Sequence, residues 1–165
     1  MKFDIARQPL VPAFMTLFAL AVAAMCAGIP VPDTETSGAV REALPLLGGQ
    51  LARFQAAYPV WSKFAAGFML LFAGMCTGRI SIRYNLYTVG TCLPIPLYAI
   101  VACGIATGGN YLAGFAASML LALATKNYCR AFCNGYGFDA IFRASLYLGL
   151  MPLIYAPALP LLLLL

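Results

Sequence analysis

Four basic side chains, in two separate stretches, have the type and spacing to hold a phosphate group. Arg79 and Arg83 are four residues apart, as are Lys126 and Arg130, so each pair shares one helical face. Arginine forks match phosphate oxygens, and the phosphate could belong to a lipid headgroup or a polyprenyl-phosphate carrier. The same four residues also have the pattern of an ordinary topology signal, which is the interpretation that the sequence favours.

A second candidate site is the pair Asp139 and Arg143. Asp139 is the only carboxylate side chain after Glu42. A carboxylate at membrane depth commonly serves as a proton or ion site, so the pair could belong to a proton-coupled carrier. The flanking charges favour a boundary ion pair at the start of the last helix instead.

Two thiols, Cys129 and Cys133, are also one helical turn apart. A structural zinc site needs about four ligands, and the chain has no histidine, so we predict no metal site and no cofactor. Lys126 and Arg130 could lower a thiol pKa and make the pair sensitive to oxidation, although inert structural thiols are the favoured interpretation. We find no paired carboxylates and no nucleophile with a base, so we predict no catalytic residues and lean towards a protein that is not an enzyme.

The composition predicts the elements that must position these residues. The chain of 165 residues is 63% hydrophobic and 9% charged, with a mean hydropathy of +0.89, whereas a soluble domain is roughly 45 to 50% apolar and about 25% charged. These values predict an all-α fold: a polytopic transmembrane helix bundle of about five spans, with one interfacial amphipathic helix, in a single membrane domain over 1–165.

The apolar runs predict spans at about 10–29, 59–78, 89–106, 111–125 and 146–165, and the interfacial helix at about 38–57. A cleaved signal peptide is the alternative for the first run, whose length favours an uncleaved helix.

Proline, glycine and asparagine predict where several helices are broken or end. Pro45 and Gly48 to Gly49 should interrupt the interfacial helix, and Pro94 with Pro96 should kink or break the third span near its start. The fourth helix should continue to Cys133, because Asn134-Gly135 supplies a stop, and a new helix should begin at Phe138.

The net charge of +5 does not indicate nucleic-acid binding, because the basic residues lie at the ends of apolar runs. In those positions they set the orientation of the chain in the membrane. A cytoplasmic N-terminus leaves only Arg41, Arg53 and Lys63 outside and places the other seven basic residues inside. The predicted partners are membrane lipids and either a second copy or a partner membrane protein, contacted through small residues such as Gly104, Gly114 and Ser118.

Two stretches, GRISIRYNLYTVGTCLPIPLYAI and KNYCRAFCNGYGFDAIFRASLYLGLMPLIYAPAL, resemble an uncharacterised family of bacterial polytopic membrane proteins of unknown function. The similar features lie within about residues 64–165: the basic stretch after the second span, Leu93-Pro94 with Tyr98, Phe138-Asp139-Ala140, and Tyr155 to Leu159. The resemblance implies a protein of the bacterial inner membrane in which further helices normally follow, so that this chain would be either the N-terminal part of a longer protein or a shortened relative. It implies no catalytic residues.

The sequence thus predicts a non-enzymatic membrane subunit or partial transporter-like domain. Prolines in the third and fifth spans could open helices as transporters do, although ordinary proline kinks are the favoured explanation. One alternative is a lipid-phosphate-binding carrier or enzyme that uses the basic stretches, and another is a proton-coupled carrier that uses Asp139.

Overall fold

A computed structural model describes residues 10–26, 46–84, 92–105, 111–134 and 137–164, and within these ranges every regular element is a helix. The predicted all-α class is confirmed for these ranges. In chain order the helices are α1 Leu10–Cys26, α2 Leu46–Ala57, α3 Pro59–Arg83, α4 Pro94–Ile105, α5 Tyr111–Asn134 and α6 Gly137–Ile154, followed by the 3-10 helix η1 Ala156–Leu164.

Two of these helices, α3 and α6, are long and apolar enough to cross a membrane, judged by length and composition. A third apolar stretch, Ala13–Ala23 in α1, is shorter. The helix α4 has 12 residues, which is about 18 Å and less than the roughly 30 Å of a hydrocarbon core. Of the five predicted spans, two therefore correspond to described helices that are long and apolar enough to cross a membrane.

Glycines in α3 allow α1 and α4 to pack close to its backbone. A Cβ atom added at Gly74 would lie 2.7 Å from Leu17 Cδ1 of α1, and one added at Gly78 would collide with Ile95 of α4. Glycines four residues apart let helices approach closely, because no side chain separates the backbones. Neither glycine was among the small residues predicted to mediate association.

The buried residues of the described helices form two clusters. The first joins α1, α3, α4 and α5, and its most deeply buried large side chains are Leu17, Leu70, Ile95 and Leu112. The second joins α5 to α6 and η1. In α6 the buried positions recur every three or four residues, so a single face contacts α5; they are Ala140, Ala144, Leu148 and Met151.

The boundaries of α3 and α4 differ from those predicted. The predicted second span ended at Gly78, but α3 continues to Arg83, so Arg79 and Arg83 lie in its last turns rather than in a loop. Pro94 and Pro96 were predicted to kink or break the third span near its start. The helix α4 begins at Pro94, which agrees with a break there, whereas 89–91 lie outside the described residues. Proline is tolerated at the start of a helix, where its missing N–H has no intrahelical acceptor.

The C-terminal end of α5 and the start of α6 agree closely with the predicted positions. The helix α5 ends at Asn134, and α6 begins at Gly137 with Asp139 in its first turn. The α-helix predicted to continue to residue 165 instead ends at Ile154. The 3-10 helix η1 follows, and the Tyr155 N–H still donates to the Met151 carbonyl at 2.9 Å.

The helices α2 and α3 meet at Tyr58 with helical hydrogen bonding on both sides. The Tyr58 N–H donates to the Phe54 carbonyl, and the Ser62 N–H donates to the Tyr58 carbonyl, each at 2.9 Å. The predicted interruption at Gly48 to Gly49 is wrong because α2 passes through both residues, whereas Pro45 and the rest of 38–45 lie outside the described residues. The side chain of Gln55 ties α2 to α5 by accepting the Leu112 N–H at 3.5 Å.

Candidate functional site

One end of α3 is joined to one end of α5 by a buried hydrogen bond. The Ser62 side chain is fully buried, and its Oγ lies 2.6 Å from the Tyr111 hydroxyl oxygen. Ser62 Oγ donates to the Pro59 carbonyl at 2.8 Å, so the Tyr111 hydroxyl donates to Ser62. This contact places the first turn of α3 beside the first residue of α5.

Further along the same two helices, basic side chains from both approach one thiol. Arg79 of α3 and Lys126 of α5 both lie within electrostatic range of Cys76. Lys126 follows Cys76 by 50 residues in the sequence, and Tyr111 follows Ser62 by 49 residues. The two pairs of neighbours thus have nearly the same separation in sequence. The helices α3 and α5 therefore run parallel, and their later turns lie side by side.

This parallel arrangement brings the four predicted phosphate contacts into one layer of the bundle. Arg79 and Arg83 are exposed in the last turns of α3, and Lys126 and Arg130 are exposed in the second half of α5. At about 1.5 Å per residue, the four Cα atoms span roughly 10 Å along the helix direction. Arg79 and Lys126 both lie within electrostatic range of Cys76, and each is followed one turn later by the second basic residue of its helix.

Asp139 and Arg143 form an exposed ion pair one turn apart in α6. Arg143 Nε donates to Asp139 Oδ1 at 3.1 Å, and the two side chains are 56% and 63% exposed, respectively. Where such a pair faces water, it contributes little to stability, about 0.3 to 0.5 kcal/mol at this helical spacing.

The Cys129 and Cys133 thiols differ in exposure. Burial raises the pKa of the Cys129 thiol, the neighbouring Cys133 acts in the same direction, and a hydrogen bond to backbone opposes them. The alternative in which Lys126 and Arg130 lower the pKa of this thiol is thus wrong, since desolvation dominates. Within the described ranges, no three cysteine or carboxylate side chains gather closely enough to hold a metal ion.

An exposed aromatic groove at the junction of α2 and α3 was not predicted as a feature. It has a volume of about 520 Å³ and is lined by Phe54, Tyr58, Trp61, Phe64, Ala65 and Phe68. Tyr58 and Trp61 alone suggest a membrane interface by their type. The recurrence of aromatic side chains every three or four residues from Phe54 to Phe72 is the signal that reveals the whole face.

The small residues predicted to mediate association have different surroundings. The Ser118 hydroxyl is already used within the chain, because it lies 3.0 Å from the Tyr98 hydroxyl and donates to the Phe115 carbonyl. Gly114 borders open space, with no atom within 4 Å of an added Cβ. The surroundings of Gly104 lie outside the described part of the chain.

One buried polar atom has no partner among the described residues, namely the Ser81 Oγ near the end of α3. Ser81 follows Gly78 by three residues, so it shares the α3 face that packs against α4 rather than the face that carries Arg79.

The chain matches no protein-family model, no curated protein and no solved structure.

Proposed function

We propose that this chain is a multi-pass integral membrane protein with about five spans and a cytoplasmic N-terminus, located in a bacterial inner membrane and acting as a non-enzymatic subunit or partial transporter-like domain. The observation that carries the proposal is the outward placement of large apolar side chains on the two membrane-length helices. In the most apolar 18-residue window of α6, only 22% of the residues are buried, and in that of α3, 44%.

Exposed apolar residues cover one side of α6 along most of its length. Phe138 is 87% exposed and Phe142 is 61% exposed; Leu146 and Leu153 extend the same surface. A soluble monomer rarely exposes contiguous apolar patches of this extent. Hydrocarbon chains or the helices of a partner would cover such a surface without the free-energy cost of contact with water.

The exposed face of α3 has the layout of a helix that crosses a bilayer. Trp61 lies near its first residue and is 68% exposed, followed by the exposed Phe68 and Phe72, and then by Arg79. Trp61 and Arg79 are 18 residues apart in sequence, or about 27 Å along a helix, close to the roughly 30 Å hydrocarbon thickness. Tryptophan favours the headgroup level, and an arginine near a helix end reaches the headgroups.

Labelling of introduced cysteines tests this orientation. In a background without native cysteines, Arg53→Cys should react with a membrane-impermeant maleimide in intact cells, whereas Ile82→Cys should react only after the cells are opened. The chain should also stay in the membrane fraction after carbonate extraction at high pH. Release by carbonate, or equal labelling of both positions in intact cells, would overturn the proposal.

Binding of an anionic lipid phosphate is the second candidate function, within either a carrier or an enzyme. The position of Arg79 and Lys126 favours it, because the two cations come from different helices and both lie within electrostatic range of Cys76. This observation supports a binding step and assigns no catalytic group.

A further inference from the structure

Four cations at one end of α3 and α5 lack a carboxylate to balance them within the described ranges. Asp139 is the one acidic side chain in those ranges, and its Oδ1 already accepts from Arg143. Arg79, Arg83, Lys126 and Arg130 therefore form a layer of four positive charges at the end of the two parallel helices. Such a layer attracts anions, and a phosphate suits it because arginine donates two parallel hydrogen bonds to phosphate oxygens.

The apolar surface beside this layer belongs to the same face of α3. At about 100° per residue, Phe68, Phe72, Arg79 and Arg83 fall within roughly 60° of one another around the helix. Phe68 is 66% exposed and Phe72 is 38% exposed, so both rings are available to a neighbouring molecule.

The dimensions of this face match one leaflet of a bilayer. Phe68 precedes Arg79 by 11 residues, or about 16 Å along the helix, and half of the hydrocarbon core is about 15 Å. A molecule bound here would thus place a negative group at Arg79 and apolar chains along Phe72 and Phe68.

We propose that this face binds one anionic phospholipid, with its phosphate between Arg79 and Lys126 and its acyl chains against Phe68 and Phe72. The inference rests on the proposed membrane location of the chain. A soluble phosphate would use only the charged half of the face, whereas a phospholipid matches both the charge and the adjacent apolar surface.

The test compares lipid binding by the full chain purified in detergent, using native mass spectrometry with added phosphatidylglycerol or phosphatidylcholine. The chain should retain phosphatidylglycerol in preference to phosphatidylcholine. Arg79→Ala combined with Lys126→Ala should weaken phosphatidylglycerol binding at least about tenfold, since each basic residue near a membrane surface contributes about 1 kcal/mol. The matched control, Arg53→Ala combined with Lys63→Ala, removes the same charge from the region around the α2–α3 junction and should leave binding nearly unchanged.

The apolar half of the site has its own pair of variants. Phe72→Ala should weaken phosphatidylglycerol binding, whereas Phe142→Ala, which removes an exposed ring from α6, should not. Glycerol 3-phosphate, which carries the phosphate without acyl chains, should compete poorly. Arg79→Lys combined with Lys126→Arg keeps both charges and should bind within about threefold of the unmodified chain.

Several results would overturn the inference. The first is equal binding of phosphatidylglycerol and phosphatidylcholine, and the second is unchanged phosphatidylglycerol binding after loss of Arg79 and Lys126. The others are an equal loss of phosphatidylglycerol binding in the control variant that lacks Arg53 and Lys63, and competition by glycerol 3-phosphate as strong as that by the lipid. Carbonate extraction separates this failure from that of the proposed function. A chain that stays in the membrane but binds without preference refutes the lipid site alone, whereas a chain released by carbonate refutes the membrane location.

Discussion

The Tyr111 hydroxyl donates to the Ser62 Oγ across the α3–α5 interface, and both side chains are buried. Of the described hydrogen bonds between side chains of different helices, this is the shortest, at 2.6 Å. It fixes the relative positions of the two helices whose far ends carry the basic layer.

Tyr111→Phe should lower the free energy of unfolding by about 0.5 to 1.5 kcal/mol, because it removes one buried hydrogen bond without creating a large cavity. Thermal unfolding in detergent measures the change. Tyr155→Phe, which removes a hydroxyl from a residue that is 41% exposed, is the control and should shift the midpoint little.

A double-mutant cycle distinguishes the bond itself from the loss of a polar atom. Ser62→Ala, Tyr111→Phe and the combined variant should yield a coupling of about 0.6 kcal/mol, up to about 1.7 kcal/mol, the range observed between helices within membranes. Fully additive effects would show that the two hydroxyls do not interact.

Gly78→Ala should destabilise the bundle by about 1 to 3 kcal/mol, because the new methyl group collides with Ile95 of α4. Replacing Ile95 by Ala in the same chain removes both colliding atoms, Cγ1 and Cδ1, so the two substitutions together should cost less than the sum of their separate effects. Gly114→Ala is the matched control, since its methyl group enters open space. The control should be stabilising by up to about 1 kcal/mol through helix propensity. Equal destabilisation at both glycines would contradict the close packing at Gly78.

Asp139→Asn should change stability by less than about 0.5 kcal/mol, because the Asp139–Arg143 pair is exposed and surface ion pairs contribute little. Unfolding should also respond similarly to added salt in the variant and in the unmodified chain. A loss above about 2 kcal/mol would show that Asp139 has a buried partner beyond Arg143.

Alkylation should distinguish the two neighbouring thiols of α5. Burial raises the pKa of Cys129, so near pH 8 its thiolate fraction is lower than that of an ordinary thiol. Iodoacetamide should therefore modify Cys129 more slowly than the exposed Cys133, and the Cys129 rate should still be rising above pH 9. Peptide mass spectrometry over a pH series measures both rates. Faster reaction at Cys129 near neutral pH would contradict the direction of the pKa shift.

Local signals in the sequence account for the features of the fold that were predicted correctly. The stop at Asn134 and the helix start near Asp139 depend on residues within one turn of each boundary. The length of α3 was underestimated because hydropathy falls at Arg79, whereas arginine is itself a good helix former, so the helix continues to Arg83. The prolines at the start of α4 fit either a kink or a first turn, and sequence alone does not separate them.

The approach of Arg79 to Lys126 depends on how two helices are aligned, which no local pattern specifies. That alignment follows from contacts between residues far apart in sequence, such as the hydrogen bond of Tyr111 to Ser62. The sequence therefore predicted the types of residue in the candidate site but not the alignment of the two helices that carry them. Chemical type can be read at each position, whereas proximity results from the packing of the whole bundle.

The backbone leaves the helical conformation at Tyr58, between α2 and α3, because its φ of −132° and ψ of 71° lie outside the helical range. Helical hydrogen bonds flank Tyr58 on both sides, and the proline that follows removes only a single N–H from the ladder. The two helices thus meet at one non-helical residue, where α2 can change its angle to α3, while the 25 residues of α3 keep a length of about 38 Å.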